Sequence, residues 1–148
     1  MDLRAIGDRI WPLLNRGART HVALYRATRG VVGHRVPGAP PMLLLDHVGA
    51  KSGTKRTTPL AYVEEGANVA IIASKGGYAK HPGWYHNLRA NPDTTVQIGA
   101  ERRKVRARVA EDEERDRLYG RAAKNWSDFA VYQQRTDRKI PVVVLEPR

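Results

Sequence analysis

The chain has 148 residues, 41% of them hydrophobic, so it is long enough to bury one core and has the composition of a globular domain. It has no cysteine, which excludes disulfides and thiolate metal sites, and neither a membrane-spanning run nor a signal peptide is evident, so we expect a cytoplasmic protein. The net charge of +11 favours an anionic partner: nucleic acid, an acidic lipid surface or a phosphorylated small molecule.

The first 41 residues predict a helical leader and a linker. Apolar residues recur at helical spacing from Leu3 to Leu14, and Pro12 kinks this helix or begins a second one that runs to residue 29. Arginines and apolar residues along this second stretch are typical of a basic amphipathic helix on an anionic membrane. A helix packed on its own barrel would show the same pattern. Glycines and prolines mark the linker over 30–41, so we expect two units, 1–41 and 42–148.

From residue 42 onward the pattern is mainly that of β-strands. In 104–109 the alternation predicts that Val105, Ala107 and Val109 face inward, and Pro141 argues for an edge strand or for the entry of a strand. Helical patterns begin at Pro82, at Glu111 and at Trp126, and the second carries acids in its first turn with Arg121 and Lys124 in its last. The class is α+β with a small antiparallel barrel, whose strands we predict over 42–48, 57–63, 69–73, 95–98, 104–109 and 140–145.

The connection between the first two strands is rich in groups that bind phosphate. Residues 47–60 contain two glycines, three cations and four hydroxyls. A tight turn of this composition directs backbone N–H groups and cationic side chains to one point. The spacing is neither that of a Walker A loop nor that of a dinucleotide fingerprint, and an ordinary solvated hairpin loop would have the same composition.

Other kinds of site have weaker support. The five histidines show no paired spacing for a metal, so we expect none, and no nucleophile motif is present. Aromatic residues alternate with cations between Tyr78 and Arg89 and could stack on bases, but no nucleic-acid-binding signature accompanies them. On the residues alone, nucleic acid and a phosphorylated small ligand both stay open.

Three separated blocks resemble the deazaflavin-dependent nitroreductase family of actinobacteria, whose members are also described as quinone reductases that use coenzyme F-420. The resemblance runs from Met42 to the end and includes a closing segment, 136–142, whereas 1–41 matches only as a variable leader. It implies a split β-barrel like that of the flavin reductases. The blocks are GAKSGxxRxxPL (49–60), ASKGG (73–77) and HPGWYHNLxANP (81–92).

The resemblance implies coenzyme F-420 as the cofactor, with FMN less favoured although the same barrel hosts both. The coenzyme's phosphate and polyglutamate tail would be held by Ala50, Lys51, Ser52 and Arg56. The residues beneath the coenzyme would be Thr57, Thr58, Pro59, Leu60 and Ala61. The deazaflavin ring would be lined by Ile72, Ala73, Ser74 and Lys75. The ribityl and ring region would be walled by Gly83, Trp84, Tyr85 and Asn87, with His86 also expected to bind the cofactor.

The implied reaction is hydride transfer from the reduced deazaflavin to a quinone or a nitroaromatic acceptor. Ser74 and Tyr132 are the expected catalytic residues, and Trp126, Phe129 and Tyr132 the expected substrate lid. Trp126 and Phe129 occupy positions where the family pattern leads us to expect tyrosines. This difference puts reduction of nitro compounds in more doubt than reduction of quinones. The alternatives are a deazaflavin carrier without turnover and a nucleic-acid-binding module, which the resemblance disfavours. Peripheral membrane contact through the N-terminal helix stays open.

Overall fold

The computed structural model describes residues 17, 19–35, 40–77 and 80–148. The predicted helix over 3–14 therefore lies outside the described residues. Residues 19–27 form helix α1, inside the predicted helix that ends at residue 29, and turns follow it through residue 33.

Six antiparallel strands close into a barrel in the order β1-β2-β3-β6-β5-β4, which confirms the predicted split-barrel class. Strand β6 pairs with both β3 and β5, so Pro141 marks the entry of a strand, and the edge-strand alternative is wrong. The strands are β1 Met42–Val48, β2 Lys55–Glu65, β3 Asn68–Ile72, β4 Asp93–Ile98, β5 Glu101–Val109 and β6 Val142–Pro147.

Strands β2, β4 and β5 are longer than the sequence pattern indicated. We expected a turn over 64–68, but β2 and β3 are joined by Gly66 and Ala67 alone, and Glu65 pairs with Asn68. Gly66 has a φ of 61°, a left-handed conformation that a two-residue hairpin turn requires and that glycine adopts without strain. Val109 lies on the same face of β5 as Val105 and Ala107, opposite Val143 of the interior cluster, as predicted. Because it ends the strand, it is 36% exposed and lines a surface cavity.

Alternation along the strands produces two apolar layers. Residues such as Leu43, Leu45 and Ile71 face the barrel interior, where the helix α2 (Gly83–Ala90) contributes Trp84 and Leu88 to the same cluster. The neighbouring residues on the strands face outward and are covered by α3 (Asp112–Asn125) and α4 (Asp128–Gln134). Helix α2 therefore closes the barrel interior, while α3 and α4 cover its outside.

The helix ends follow the predicted chemistry with small shifts. Pro82 is the N-cap of α2 and thus lies one residue before the helix. The first turn of α3 carries three acids, and Lys124 lies in its last turn, as the helix dipole favours. Arg121 lies before the last turn and pairs with Glu65 on the barrel at 3.2 Å.

Helix α1 packs on the barrel through Tyr25, which is fully buried. The Tyr25 hydroxyl accepts a hydrogen bond from the N–H of Gly99 at 2.8 Å and donates one to the carbonyl of Met42 at 3.0 Å. Gly30, in the turn after α1, lies so close to the β4–β5 turn that an added Cβ would be 2.5 Å from the Cα of Gly99. The described part of the leader thus contacts the barrel directly, and the domain boundary at residue 42 stays a prediction.

Within the described chain, none of the helices has both the length and the apolarity needed to cross a membrane.

Candidate functional site

A groove of about 970 Å³ lies at one end of the barrel. Its walls come from the β1–β2 loop, the inward side chains of β2, the residues that follow β3, and the N-terminal end of α2. The lining residues are His47, Gly49, Ala50, Lys51, Ser52, Arg56, Thr58, Pro59, Leu60, Ile72, Ser74, Lys75, Pro82, Gly83, Trp84, His86 and Asn87.

Most of the cofactor-binding residues expected from sequence therefore meet in one groove, but four do not line it. The side chain of Thr57 lies on the outer face of β2 and donates a hydrogen bond to Asp46 at 2.7 Å. Ala61 lines a different cavity, while Ala73 and Tyr85 are buried in the core. Strand alternation places Thr57 and Ala61 on the outer face of β2, although Pro59 on the same face does line the groove.

The β1–β2 loop is a tight turn held by its own backbone. The N–H of Gly49 donates to the carbonyl of Thr54 at 2.9 Å, and the N–H of Gly53 donates to the carbonyl of Gly49 at 2.9 Å. A Cβ at Gly49 would overlap Oγ of Ser52, a contact that rotation of the serine side chain relieves. Gly53 has a φ of 69°, a left-handed conformation that favours glycine. The turn leaves the N–H groups of Lys51 and Ser52 without partners among the described residues.

The groove is electropositive. Lys51, Arg56 and Lys75 line it, whereas no described Asp or Glu does. Lys51 and Arg56 are exposed, and neither has a carboxylate partner within the described ranges. The N-terminal end of α2, which lacks a side-chain cap, adds the positive end of a helix dipole at Gly83. These groups suit an anion, while Leu60, Ile72 and Trp84 provide apolar walls for a flat ring.

Ser74 lies two residues after β3 and lines the groove, between Ile72 and Lys75 in sequence. Its side chain is 8% exposed, and its hydroxyl has no hydrogen-bond partner in the described part of the chain, so it is available to a ligand. The Ser74 carbonyl accepts hydrogen bonds from the N–H of Gly77 at 2.9 Å and from Arg138 at 2.8 Å. Arg138 also donates to Nδ1 of His81 at 3.0 Å, and burial together with this cation lowers the pKa of His81.

His47 is a groove residue that sequence reasoning missed. It is 6% exposed, and burial, with a smaller contribution from Arg56, lowers its pKa to about 4, so the ring is neutral at physiological pH. Its Nε2 lies 2.8 Å from the hydroxyl of Thr58, and its Nδ1 lies 2.9 Å from the side-chain amide of Asn87. No local signal could have identified it, because Asn87 is 40 positions away.

A second cavity of about 260 Å³ lies on the outer side of β2 and β3. Trp126 and Phe129, two of the expected lid residues, line it, and Ile72 lines both this cavity and the groove. Tyr132 lines neither of the two cavities. It packs edge-to-face on Phe129, with ring centroids 5.9 Å apart, and burial raises the pKa of its hydroxyl.

Comparison with known proteins gives consistent matches. Residues 17–147 match the family model described as F420H(2)-dependent quinone reductase. The chain is 48% identical to the F420H(2)-dependent quinone reductase Rv1261c of Mycobacterium tuberculosis over 133 residues, which cover 88% of this chain and 89% of that protein.

Solved structures agree with these sequence matches. A structure described as an F420-H2 dependent reductase (FDR-A) superposes with a TM-score of 0.67 and 46% identity, covering 72% of this chain and 94% of that one. The haem storage protein HutZ of Vibrio cholerae has a TM-score of 0.54 at 11% identity, covers 72% of this chain and 81% of that one, and shares the fold alone.

Proposed function

Because this chain belongs to the F420H(2)-dependent quinone reductase family, we propose that it reduces quinones with the reduced deazaflavin coenzyme F-420. The observation that carries the proposal is the groove of about 970 Å³, which joins a cationic loop to an apolar wall. A deazaflavin coenzyme is divided in the same way, because its phosphate and glutamate tail is anionic and its ring is flat and aromatic. The groove is also of the size that cofactor sites usually have.

In this proposal the loop holds the anionic tail. Lys51 and Arg56 bind the phosphate and carboxylates, and the N–H groups of Lys51 and Ser52 donate to the same oxygens. Charge-assisted hydrogen bonds of this kind are shorter and stronger than neutral ones. Cations that have no carboxylate partner in the described chain support this role, since an anionic ligand would not have to displace an existing ion pair.

The ring lies at the other end, against Leu60, Ile72 and Trp84. When bound, the reduced coenzyme supplies a hydride, and the protein contributes orientation and electrostatics. The acceptor oxygen gains negative charge as it is reduced. We assign the hydrogen bond to that oxygen to the Ser74 hydroxyl, because Ser74 lines the groove and its hydroxyl has no partner among the described residues.

The acceptor binds beside Ile72, the one described residue that lines both cavities. Trp126 and Phe129 would then contact its apolar part from the outer side. Tyr132 packs edge-to-face on Phe129 and lies outside both cavities. We therefore assign the catalytic hydrogen bond to Ser74 and not to Tyr132. Phe129 cannot donate a hydrogen bond, so a quinone suits this pocket better than a nitroaromatic acceptor.

Peripheral contact with a membrane would bring the enzyme to lipid-soluble quinones. Leu24, Val31 and Val32, at the end of α1 and in the turn after it, are exposed, and Val31 is 85% exposed. Arg29 lies between them in sequence and is also exposed. An apolar surface with a neighbouring cation suits the interface of an anionic membrane. Vesicles of anionic lipid should sediment the protein, and Val31→Asp should release it; equal sedimentation of both proteins contradicts this contact.

The activity is tested by mixing the protein with reduced coenzyme F-420 and a soluble menaquinone analogue without oxygen. The proposal expects recovery of the visible absorbance of the oxidised deazaflavin at a rate well above the protein-free control. If the protein binds the coenzyme tightly but shows no such rate, it is not a quinone reductase, and the alternative of a deazaflavin carrier is favoured. Tight DNA binding that weakens steeply with salt, without coenzyme binding, would favour the nucleic-acid module.

A further inference from the structure

Three hydrogen bonds connect the β1–β2 loop to a hydroxyl in the groove. The backbone N–H of Ala50 donates to Oδ1 of Asn87 at 3.0 Å. The Asn87 Nδ2 lies 2.9 Å from Nδ1 of His47, and Nε2 of the same ring lies 2.8 Å from Oγ1 of Thr58. This series of hydrogen bonds therefore runs from the β1–β2 loop, through side chains of α2 and β1, to the inner face of β2.

The backbone N–H of Ala50 fixes the direction of all three hydrogen bonds. A backbone N–H can only donate, so the oxygen of the Asn87 side chain must face Ala50 and its NH₂ group must face His47. Nδ1 of His47 then has to accept and carries no proton. In a neutral ring the proton is consequently on Nε2, which donates to the oxygen of Thr58.

The neutral form of His47 agrees with its surroundings. The side chain is 6% exposed, and the positive charge of Arg56 opposes a second positive charge on the ring, while Asp46 on β1 favours one. A protonated ring would also place an N–H against the NH₂ group of Asn87, so two donors would face each other. Both the burial and the hydrogen-bond pattern therefore keep one proton on the ring.

We infer that His47 is a positioning residue that makes the Thr58 hydroxyl a hydrogen-bond donor to the cofactor. Because the Thr58 oxygen accepts from His47, its own proton must go to another acceptor. None is found for it in the described part of the chain, and Thr58 lines the groove. The acceptor is thus an oxygen of the ligand, and in this respect the inference rests on the proposed function.

Neighbours on β2 indicate which part of the coenzyme Thr58 contacts. Arg56 and Leu60 lie on the same face of the strand, one on each side of Thr58, and both line the groove. One neighbour is cationic and the other is apolar. An acceptor beside Thr58 therefore lies where the anionic tail joins the ring, at the ribityl and phosphate segment.

The proton on His47 can be observed without any ligand. Two-dimensional 1H–15N spectra of protein with 15N-labelled histidine separate the two neutral tautomers and the charged ring. We expect the Nε2–H tautomer for His47 at pH 7, assigned by its loss in His47→Gln. An Nδ1–H tautomer or a charged ring at this pH overturns the inference, whether or not the protein is an enzyme.

The donor role is tested by binding of oxidised coenzyme F-420, followed by fluorescence, with circular dichroism to check that each variant folds. Thr58→Val should weaken binding about tenfold, whereas Thr58→Ser, which keeps the hydroxyl, should stay within about twofold. His47→Leu should weaken binding by a similar factor, and His47→Gln, which keeps an N–H donor, should recover part of the loss.

The decisive comparison is the double variant. If His47 acts through Thr58, His47→Leu should weaken binding less than twofold further in the Thr58→Val background. Independent, multiplying losses would overturn the positioning role while leaving the proposed function intact. If the wild-type protein does not bind the coenzyme, the proposed function is wrong, and so is the coenzyme as the hydrogen-bond acceptor of Thr58. The tautomer measurement still tests the direction of the bond between His47 and Thr58 in that case.

Discussion

Arg138 donates a hydrogen bond to the carbonyl oxygen of Ser74 at 2.8 Å, although 64 positions separate the two residues. The same guanidinium donates to the carbonyl of Ala73 at 3.2 Å and to Nδ1 of His81 at 3.0 Å. One side chain, placed just before β6, thus fixes the segment that follows β3 and the segment that precedes α2. Both segments line the groove, the first through Ser74 and the second through Pro82.

We expect Arg138→Lys to lower kcat about tenfold with a much smaller effect on coenzyme affinity. A lysine cannot reproduce the fork of donors that holds two carbonyls and a ring nitrogen together, so Ser74 would lose its fixed position. Steady-state kinetics with reduced coenzyme and a quinone measure this. Lys139→Gln removes the neighbouring cation, which is 62% exposed and lies 3.9 Å from Asp116, and should leave kcat unchanged. Equal effects of the two variants would contradict the positioning of Ser74 by Arg138.

Removing the Ser74 hydroxyl should mainly affect the chemical step. Ser74→Ala is expected to lower kcat about 10- to 100-fold, because a donor to the developing negative charge is lost, while the fold keeps its stability within about 0.5 kcal/mol. Coenzyme affinity should change only slightly. Unaltered kcat in Ser74→Ala would assign the hydrogen bond to another group and make Tyr132→Phe the next variant to measure.

The cations of the loop should determine affinity for the coenzyme's tail. Lys51→Ala and Arg56→Ala should each weaken binding by about 1.5–3 kcal/mol, the range for hydrogen bonds to charged groups. The loss should shrink at high salt, because the cations are exposed. Lys104→Ala removes an exposed cation on β5, outside the groove, and is the matched control. If all three variants bind alike, the tail lies elsewhere.

Local patterns predicted the barrel well because each strand has its own signal. The strand Met42–Val48 was predicted to the residue, since an apolar run ends there at a glycine. The loop chemistry at Lys51 and Arg56 was equally local. Errors occurred where a strand continues into charged residues: Glu64 and Glu65 look like a turn, yet they complete β2 because Arg117 and Arg121 of α3 pair with Glu65.

Contacts between distant segments could not be read from the sequence. His47 looks like an isolated histidine in an apolar strand, and only the closed barrel brings Asn87 to its ring. Arg138 lies in a recognisable segment, but nothing in its neighbourhood indicates that it binds Ser74. Trp126 and Phe129 line the second cavity together with Ile72, and no sequence pattern indicated that this cavity is separate from the groove.

The contact of α1 with the barrel predicts a cost for Tyr25→Phe. Without the hydroxyl, the N–H of Gly99 and the carbonyl of Met42 lose a partner, which should lower the free energy of unfolding by about 1–3 kcal/mol. Urea titration measures the change. A difference below about 0.5 kcal/mol would contradict the docking of α1 through Tyr25 and support a leader that acts independently of the barrel.

Stability should fall as the pH decreases from about 6.5 to about 4, in part because of His47. Folding lowers the pKa of this ring from its ordinary 6.5 to about 4, so the unfolded chain binds a proton over this range that the folded protein does not. The free energy of unfolding therefore rises with pH, and His47 alone accounts for about 1.5 kcal/mol between pH 6.5 and pH 5. Burial also lowers the pKa of His34 and of His81, which act in the same direction.

Urea titrations of the wild-type protein and of His47→Gln at pH 7, 6 and 5 separate the contribution of His47. The variant has no titrating ring at this position, so its free energy of unfolding should decrease less between pH 7 and pH 5, by about 2 kcal/mol. Exposed carboxylates that pair with arginines, such as Glu65, have a lowered pKa and lose their stabilising charge only at lower pH, outside this window. Parallel pH profiles for the two proteins would show that His47 is not held neutral by the fold, and the bond direction inferred for Thr58 would fall with it.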